Sequence, residues 1–434
     1  MAKPDDRQMG LWMTSALVVG TMIGAGIFML PMSLAPLGAN AIIGWIVSSV
    51  GALCIAFALA RLSTLGGEGI QANVERELGS TTGFLVAWAF WVSNWVGLAA
   101  LAIAGASALS WVNPEFTGPG FVIPAAIASV VLLAGVNMLG VRSAGRMQIA
   151  TVMIKLLPLA AVILLLALRG ASPEPFEPLA AVPVTLSTIA TAVALTFFAL
   201  LGFENATAPV GKVRDPERNI PRAILGGTLF VAFVYLLAST SVQLLLPAEM
   251  AAASPAPIAD VIAAAWGGPI ASFAAVGIAV AAFGALNGGI LSTGELGYSM
   301  ALRGDLPRFL ARTWRGNTPV AAQLAGCGLS IVLILANGSR ASASLFTFLI
   351  LLTTAAILVV YLAGTIAAWR LSPSLAARFL LVCAFLFILF AGFGSGMEAL
   401  LWCLMLLAVG LVVRGLARGL EARHAAARPA RQAA

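Results

Sequence analysis

Three ionisable side chains stand where a lipid-spanning segment would not place them. Glu204 sits in T-F-F-A-L-L-G-F-E-N-A-T-A-P, Lys155 in Q-I-A-T-V-M-I-K-L-L-P and Glu295 in S-T-G-E-L-G-Y-S-M-A. Insertion scales put a central Asp, Lys or Arg at a cost of about 2.5–3.5 kcal/mol, so such a group normally faces a cavity or a partner. Around Glu204 the apolar run is also interrupted, by Gly202 with Asn205 and Pro209 beyond it. A carboxylate that coincides with a helix break favours ligand binding or gating over packing. The run V-G-T-M-I-G-A-G-I-F carries matching punctuation, with Gly20, Gly24 and Gly26 followed by Pro31. Glycine at 24 and 26 lowers the cost of unwinding and lets a ligand approach backbone amides. A broken helix offers N–H groups at one end, suited to a carboxylate, and carbonyls at the other. Close helix packing through small residues explains the same glycines, and the spacing alone leaves both readings standing.

Lys155 lies about 9 Å inside its span at about 1.5 Å per residue. Its ammonium either snorkels to the nearer membrane face or is buried, where its charge and proton can enter a transport step. Glu295 lines a pathway, pairs with a polar group or sits near the interface, and nothing in the pattern ranks these. Trp88, Trp91 and Trp95 share one helix face, by default as core, with an aromatic substrate wall as the alternative. Trp12, Trp111, Trp266 and Trp369 fall near span ends and fit interfacial belts.

The companions of an enzyme are missing from the sequence. The single histidine, His424, is in the C-terminal tail, and Cys54, Cys327, Cys383 and Cys403 are scattered through apolar stretches. That leaves no nucleophile–base pair or metal cluster at depth, and no cofactor or metal is expected. No G-x-x-x-x-G-K-[ST] loop supplies a nucleotide motor, and no repeated polar ring supplies a channel filter.

The elements that must position these residues are membrane helices. The chain has 434 residues, 61% apolar and 9% charged, against about 45–50% and 25% in soluble domains. A soluble enzyme, a disordered chain and a nucleic-acid binder are all excluded. Spans need about 20 apolar residues, and twelve runs qualify: 11–37, 40–60, 84–111, 119–140, 147–168, 184–208, 223–246, 269–301, 319–337, 343–369, 375–394 and 396–413. The first is too long for a signal peptide and is read as an uncleaved helix. With both termini cytoplasmic, 21 of the 24 Lys and Arg residues fall on the inner side. Only Arg169 and Arg340 lie outside, with Lys155 inside a span. The net charge of +7 is therefore orientation bias rather than a nucleic-acid footprint. One transmembrane domain fills 1–434, and its expected partners are the bilayer and a small molecule, with no nucleic acid.

Four motifs carry a resemblance: V-G-T-M-I-G-A-G-I-F-M-L-P from Val19 to Pro31, F-F-A-L-L-G-F-E-N-A from Phe197 to Ala206, K-V-R-D-P-E-R-N-I-P-R-A-I from Lys212 to Ile224, and R-G-D-L-P from Arg303 to Pro307. The chain resembles the amino acid–polyamine–organocation superfamily of permeases over essentially its whole length, and within it the arginine/agmatine antiporter and the basic amino acid/polyamine group. The resemblance implies an all-α, leucine-transporter-type fold of twelve helices in the cytoplasmic (inner) membrane, with helices 1 and 6 interrupted. Two inverted repeats of five helices would cover 11–168 and 184–369, with two more helices at 375–413. Residues 1–10 and the basic tail 414–434 would be cytoplasmic. It implies a substrate α-carboxylate at Gly24, Ala25 and Gly26, and an α-amino group at helix 6 carbonyls around Phe198, Leu201 and Gly202. Glu204 matches a gating and proton-sensing glutamate. Phe198, Gly289 and Phe90 stand where the antiporter has two tryptophans and a tyrosine, which weakens cation–π recognition of a guanidinium. Lys155 matches the helix 5 lysine of proton-coupled, sodium-independent permeases. The expected activity is sodium-independent amino acid antiport, with proton-coupled symport of neutral amino acids as the alternative. The group includes monomers and dimers, so a homodimer stays open.

Overall fold

A computed structural model describes residues 10–24, 26–63, 70–116, 119–138, 144–173, 175–204, 213–314, 318–372 and 374–432. Helices dominate. They are α1 (Leu11–Met22), α2 (Gly26–Leu34), α3 (Ala39–Ser63), α4 (Ile70–Leu78), α5 (Ser80–Ser110), α6 (Pro119–Met138), α7 (Ala144–Gly170) and α8 (Leu186–Ala199). The second half contains α9 (Pro216–Leu245), α10 (Ala248–Ala253), α11 (Pro257–Trp266), α12 (Gly268–Leu302), α13 (Val320–Ala336), α14 (Ser342–Arg370), α15 (Leu375–Gly394) and α16 (Gly396–Gln432). Among the described residues, eight helices are long and apolar enough to cross a membrane. The pair α1–α2, bent by 44°, makes a ninth span.

The expected runs fall on these helices, the first on the bent pair, but 184–208 is helical only over Leu186–Ala199 before the chain turns. Residues 139–140 and 205–208 lie outside the described residues, and several other limits shift for physical reasons. α5 begins at Ser80 rather than 84. α9 begins at Pro216, so most of the D-P-E-R-N-I-P-R motif is its first turns rather than a loop. Proline at the first helical position loses no hydrogen bond, because that N–H has no intrahelical partner in any case. Its N-cap, Asp215, has φ 45°. α16 runs on through Gln432, well past 413, so the expected tail continues the last helix. The short helices α4, α10 and α11 fall where the sequence suggested loops.

The core is a scaffold centred on α5, against which α12 and α14 both pack, with α3, α8, α13 and α16 around them. Small residues allow the close approaches. A Cβ on Gly44 would come 2.7 Å from Cβ of Ala192, joining α3 to α8, and one on Gly105 would come 2.5 Å from the Phe283 ring, joining α5 to α12. The periphery is apolar where a soluble protein would be polar, with Leu132, Leu386 and Leu404 exposed. Such a surface suits hydrocarbon.

Ionic contacts gather at one end, here termed the basic end. Arg414 on α16 donates to Asp305 at 2.8 Å and to the Ser80 carbonyl at 3.0 Å, and its guanidinium lies over the Phe84 ring. Arg418 also reaches Asp305, at 3.1 Å. Nearby, Arg303 pairs with Glu75 at 2.7 Å, and Arg370 donates to the Glu77 carbonyl. The R-G-D-L-P motif is thus a junction that fastens the last helix to α5, and α4 is held against it.

Candidate functional site

Two helix ends meet at the centre of the bundle. α1 stops at Met22, and the Gly24 N–H turns back to the Met22 carbonyl at 2.8 Å. α2 restarts at Gly26, and its first N–H groups have no intrahelical acceptors. α8, started by a capping box of Thr185 and Thr188, stops at Ala199, and the chain then turns through Leu200–Glu204. Gly202 has φ +116° there. The two breaks touch: the Thr21 hydroxyl lies 3.0 Å from the Gly202 carbonyl and 2.9 Å from those of Leu17 and Val18. Tyr235 on α9 donates its hydroxyl to the Met22 carbonyl at 2.9 Å, occupying an acceptor exposed by the break.

Glu204 is buried at this junction. Its Oε2 accepts from the Gly202 N–H at 3.0 Å and from the Tyr361 hydroxyl on α14 at 2.7 Å. Phe203 stacks on the Tyr361 ring with centroids 5.5 Å apart. The carboxylate is therefore oriented by one backbone and one phenolic donor, which is the arrangement that permits a charged acceptor in a buried site.

A cavity of about 520 Å³ opens at the breaks. Gly24, Gly26, Phe90, Phe198, Leu201, Gly202, Glu204 and Gly289, all expected from the sequence, lie on its wall. Ala25 and Asn205 lie outside the described residues. The two glycines of the first break differ in what surrounds them. A Cβ on Gly24 would meet nothing closer than 3.8 Å, so packing does not require glycine there, whereas one on Gly26 would come 3.0 Å from the Phe198 ring. At Gly289 a Cβ would come 2.7 Å from Leu98, so this position serves the contact between α12 and α5 as well as the cavity. Sequence reasoning missed Thr21, Ser93, Asn94, Ser292 and Thr353, which add hydroxyl and amide groups to the wall. It also missed Tyr235 and Tyr361. The usable signal was scarcity: the chain has 3 tyrosines against 22 phenylalanines, and two of the three, Tyr235 and Tyr361, place their hydroxyls at the breaks.

The other singled-out residues lie elsewhere. Lys155 on α7 is 1% exposed, which places its side chain within the bundle and rules out snorkelling along its outer face, but it is not on the cavity wall. Among the described residues no carboxylate forms an ion pair with it. Glu295 is exposed on α12, away from the cavity. Trp88, Trp91 and Trp95 are core: the first two donate indole N–H groups to the carbonyls of Leu406 and Thr293, and none lines the cavity. Trp111 does more than mark an interface. Its indole N–H donates to Asp260 on α11 at 2.6 Å.

Apolar helices around a central cavity, with backbone ends and one buried carboxylate on its wall, make a multi-pass membrane carrier. The chain belongs to the amino acid permease family, whose sequence profile matches residues 9–417. It is 29% identical over 354 residues, 78% of each chain, to the cadaverine/lysine antiporter of Escherichia coli (strain K12). It is 25% identical over 436 residues to the putrescine transporter PotE of the same strain, covering 96% of this chain and 97% of that one. These are permeases, and the protein is a transporter rather than an enzyme.

Proposed function

We propose that the protein is a sodium-independent secondary carrier of the cytoplasmic membrane that exchanges amino acids or their amine derivatives by alternating access, basic substrates of the arginine/agmatine type first among them. In this reading the basic end is cytoplasmic, twelve spans form the bundle, and its first ten helices are two inverted repeats of five. The observation that carries the proposal is the charge inventory of the cavity. Among its described lining residues Glu204 is the one acidic side chain, and no lysine or arginine accompanies it. A cationic substrate supplies the ammonium that a buried carboxylate favours. Its α-carboxylate is left to backbone N–H groups at the start of α2, which bind anions through aligned dipoles. A decarboxylated amine can forgo that contact without stranding a buried cationic side chain, which is what exchange of an amino acid for its amine requires. The relatives named for lysine, cadaverine and putrescine support the same substrate class.

The second reading, proton-coupled symport of neutral amino acids, is favoured by Lys155, buried without a described carboxylate, and by the absence of tryptophan at Phe198 and Gly289. Counterflow separates the two. Labelled lysine and arginine should enter proteoliposomes preloaded with lysine, arginine, cadaverine or agmatine, fail to accumulate in empty ones, and do so equally when sodium is replaced by choline. Absence of exchange with every basic substrate, together with accumulation of labelled alanine under an inward proton gradient, would establish the second reading instead.

A further inference from the structure

A second cavity, also about 520 Å³, lies at the end of the bundle opposite the basic one and shares no lining residue with the first. Its volume falls within the roughly 300–1,000 Å³ of small-molecule pockets. Its walls come from the C-terminal part of α2, from α10, from the start of α14 and from the turn joining α15 to α16. Arg340 and Glu398 stand on the wall, with Nη2 and Oε1 2.5 Å apart. The guanidinium lies over the Phe348 ring, 4.6 Å from its centroid, which fixes its plane. Ser33 of α2 and Thr347 of α14 share a hydrogen bond of 2.8 Å on the same wall.

As a simple surface ion pair this contact would contribute about 0–1 kcal/mol, and three features set it apart. Arg340 is one of only two basic residues that the sequence assigns to this end, where the charge bias runs against arginine. The other, Arg169, is spent on the Pro175 carbonyl, at 3.3 and 3.1 Å. A guanidinium has five N–H donors in a planar fork, and a carboxylate has two oxygens. Here one nitrogen and one oxygen are engaged with each other, leaving the remaining edge of Arg340 and the second oxygen of Glu398 beside a cavity.

We propose that this cavity is a binding site for a zwitterion, with the anionic oxygens of the ligand on Arg340 and its ammonium on Glu398. A free α-amino acid and the headgroup of phosphatidylethanolamine share that chemistry. α2 and α14 also wall the central cavity, through Gly26 and Thr353, so an occupant here touches two helices that shape the central site. The site stands independently of which substrate the central cavity takes.

The test uses the full chain in nanodiscs and three variants: Arg340→Gln, Glu398→Gln and Ser344→Trp, the last filling the cavity while leaving the ion pair intact. Equilibrium binding counts equivalents of radiolabelled L-lysine, and native mass spectrometry counts retained phosphatidylethanolamine. Each variant should lose one equivalent of lysine that the wild type binds, or lose at least tenfold of its lipid retention, with thermal unfolding and elution unchanged. The lysine result would identify a free amino acid and the lipid result a headgroup. Counting a lost equivalent, rather than total binding, keeps the result separate from whether the central cavity binds lysine. Equal lysine stoichiometry and equal lipid retention in the wild type and all three variants would overturn the proposal.

Discussion

Replacing Gly202 by alanine tests whether the contact between the two helix breaks is what the carrier works through. The residue has φ +116°, where an L side chain is strained by about 1–3 kcal/mol. The added Cβ would also lie 2.8 Å from the Thr21 carbonyl oxygen and 3.0 Å from the Met22 nitrogen. Both are backbone atoms and cannot rotate aside, so the breaks must part by about half an ångström to reach ordinary contact. Parting them weakens the Thr21–Gly202 hydrogen bond, worth about 0.5–1.5 kcal/mol net. Together these give about 2–4 kcal/mol, or on the order of 30- to 700-fold in an equilibrium between conformers. The assay is initial-rate counterflow in proteoliposomes, with thermal unfolding of the purified variant beside it. Transport should fall at least 30-fold on this arithmetic. Gly277→Ala, on α12 with no atom within 4 Å of the new Cβ, should be silent. Gly24→Ala has room, with its nearest neighbour at 3.8 Å, so it should weaken substrate binding without lowering the melting temperature. A Gly202→Ala protein that transports and melts like the wild type would refute the reasoning.

Glu204→Gln keeps an acceptor for Gly202 and Tyr361 but removes the charge. Exchange of basic substrates should fall by about tenfold or more, since charge-assisted contacts are about twice as strong as neutral ones, and the pH profile of transport should flatten. An unchanged profile would remove Glu204 from the coupling step. Lys155→Met removes an ammonium that no described carboxylate neutralises, so unfolding temperature should hold or rise while transport drops. Full transport would make the lysine a bystander. At the basic end, Asp305→Ala strands Arg414, whose side chain is 8% exposed, and should cost about 3–5 kcal/mol. Glu75→Ala breaks the half-exposed pair with Arg303 and should cost about 0–1 kcal/mol. Equal melting shifts in detergent would contradict the burial that separates the two pairs.

How much of this site was legible depends on what breaks a pattern. In an apolar span a glycine pair, a proline or a carboxylate stands out because hydrocarbon penalises it. For that reason Gly24, Gly26, Gly202 and Glu204 could be picked from the sequence, and the chain brings them to one cavity wall. Hydroxyl and amide residues carry no such mark. Thr21, Asn94 and Thr353 look like tolerated span residues until the helices are packed, because a threonine can satisfy itself on its own helix, as Thr353 does on the Leu349 carbonyl. Short helices were equally silent. α10 and α11 are 6 and 10 residues long, too short for a periodic signal, yet α11 places Asp260 under the Trp111 indole.

The charged residues also show why depth in a span does not decide role. Glu204, Lys155 and Glu295 were flagged by one rule, the cost of charge at depth, and the fold gives them three different surroundings. Glu204 is oriented by Tyr361 and Gly202 on the cavity wall, Lys155 is enclosed by helices away from it, and Glu295 is on the outer surface of α12. The distinction comes from which helix face meets a neighbour, and the apolar residues surrounding each charge encode that face only weakly, because lipid and protein interior accept the same side chains. Tyrosine escapes this degeneracy. Its ring suits either environment while its hydroxyl needs a partner when buried, and two of the chain's three tyrosines spend that hydroxyl on the breaks, at the Met22 carbonyl and the Glu204 carboxylate. In a span this apolar, a scarce side chain with one obligatory hydrogen bond points to the functional centre more sharply than a charge does.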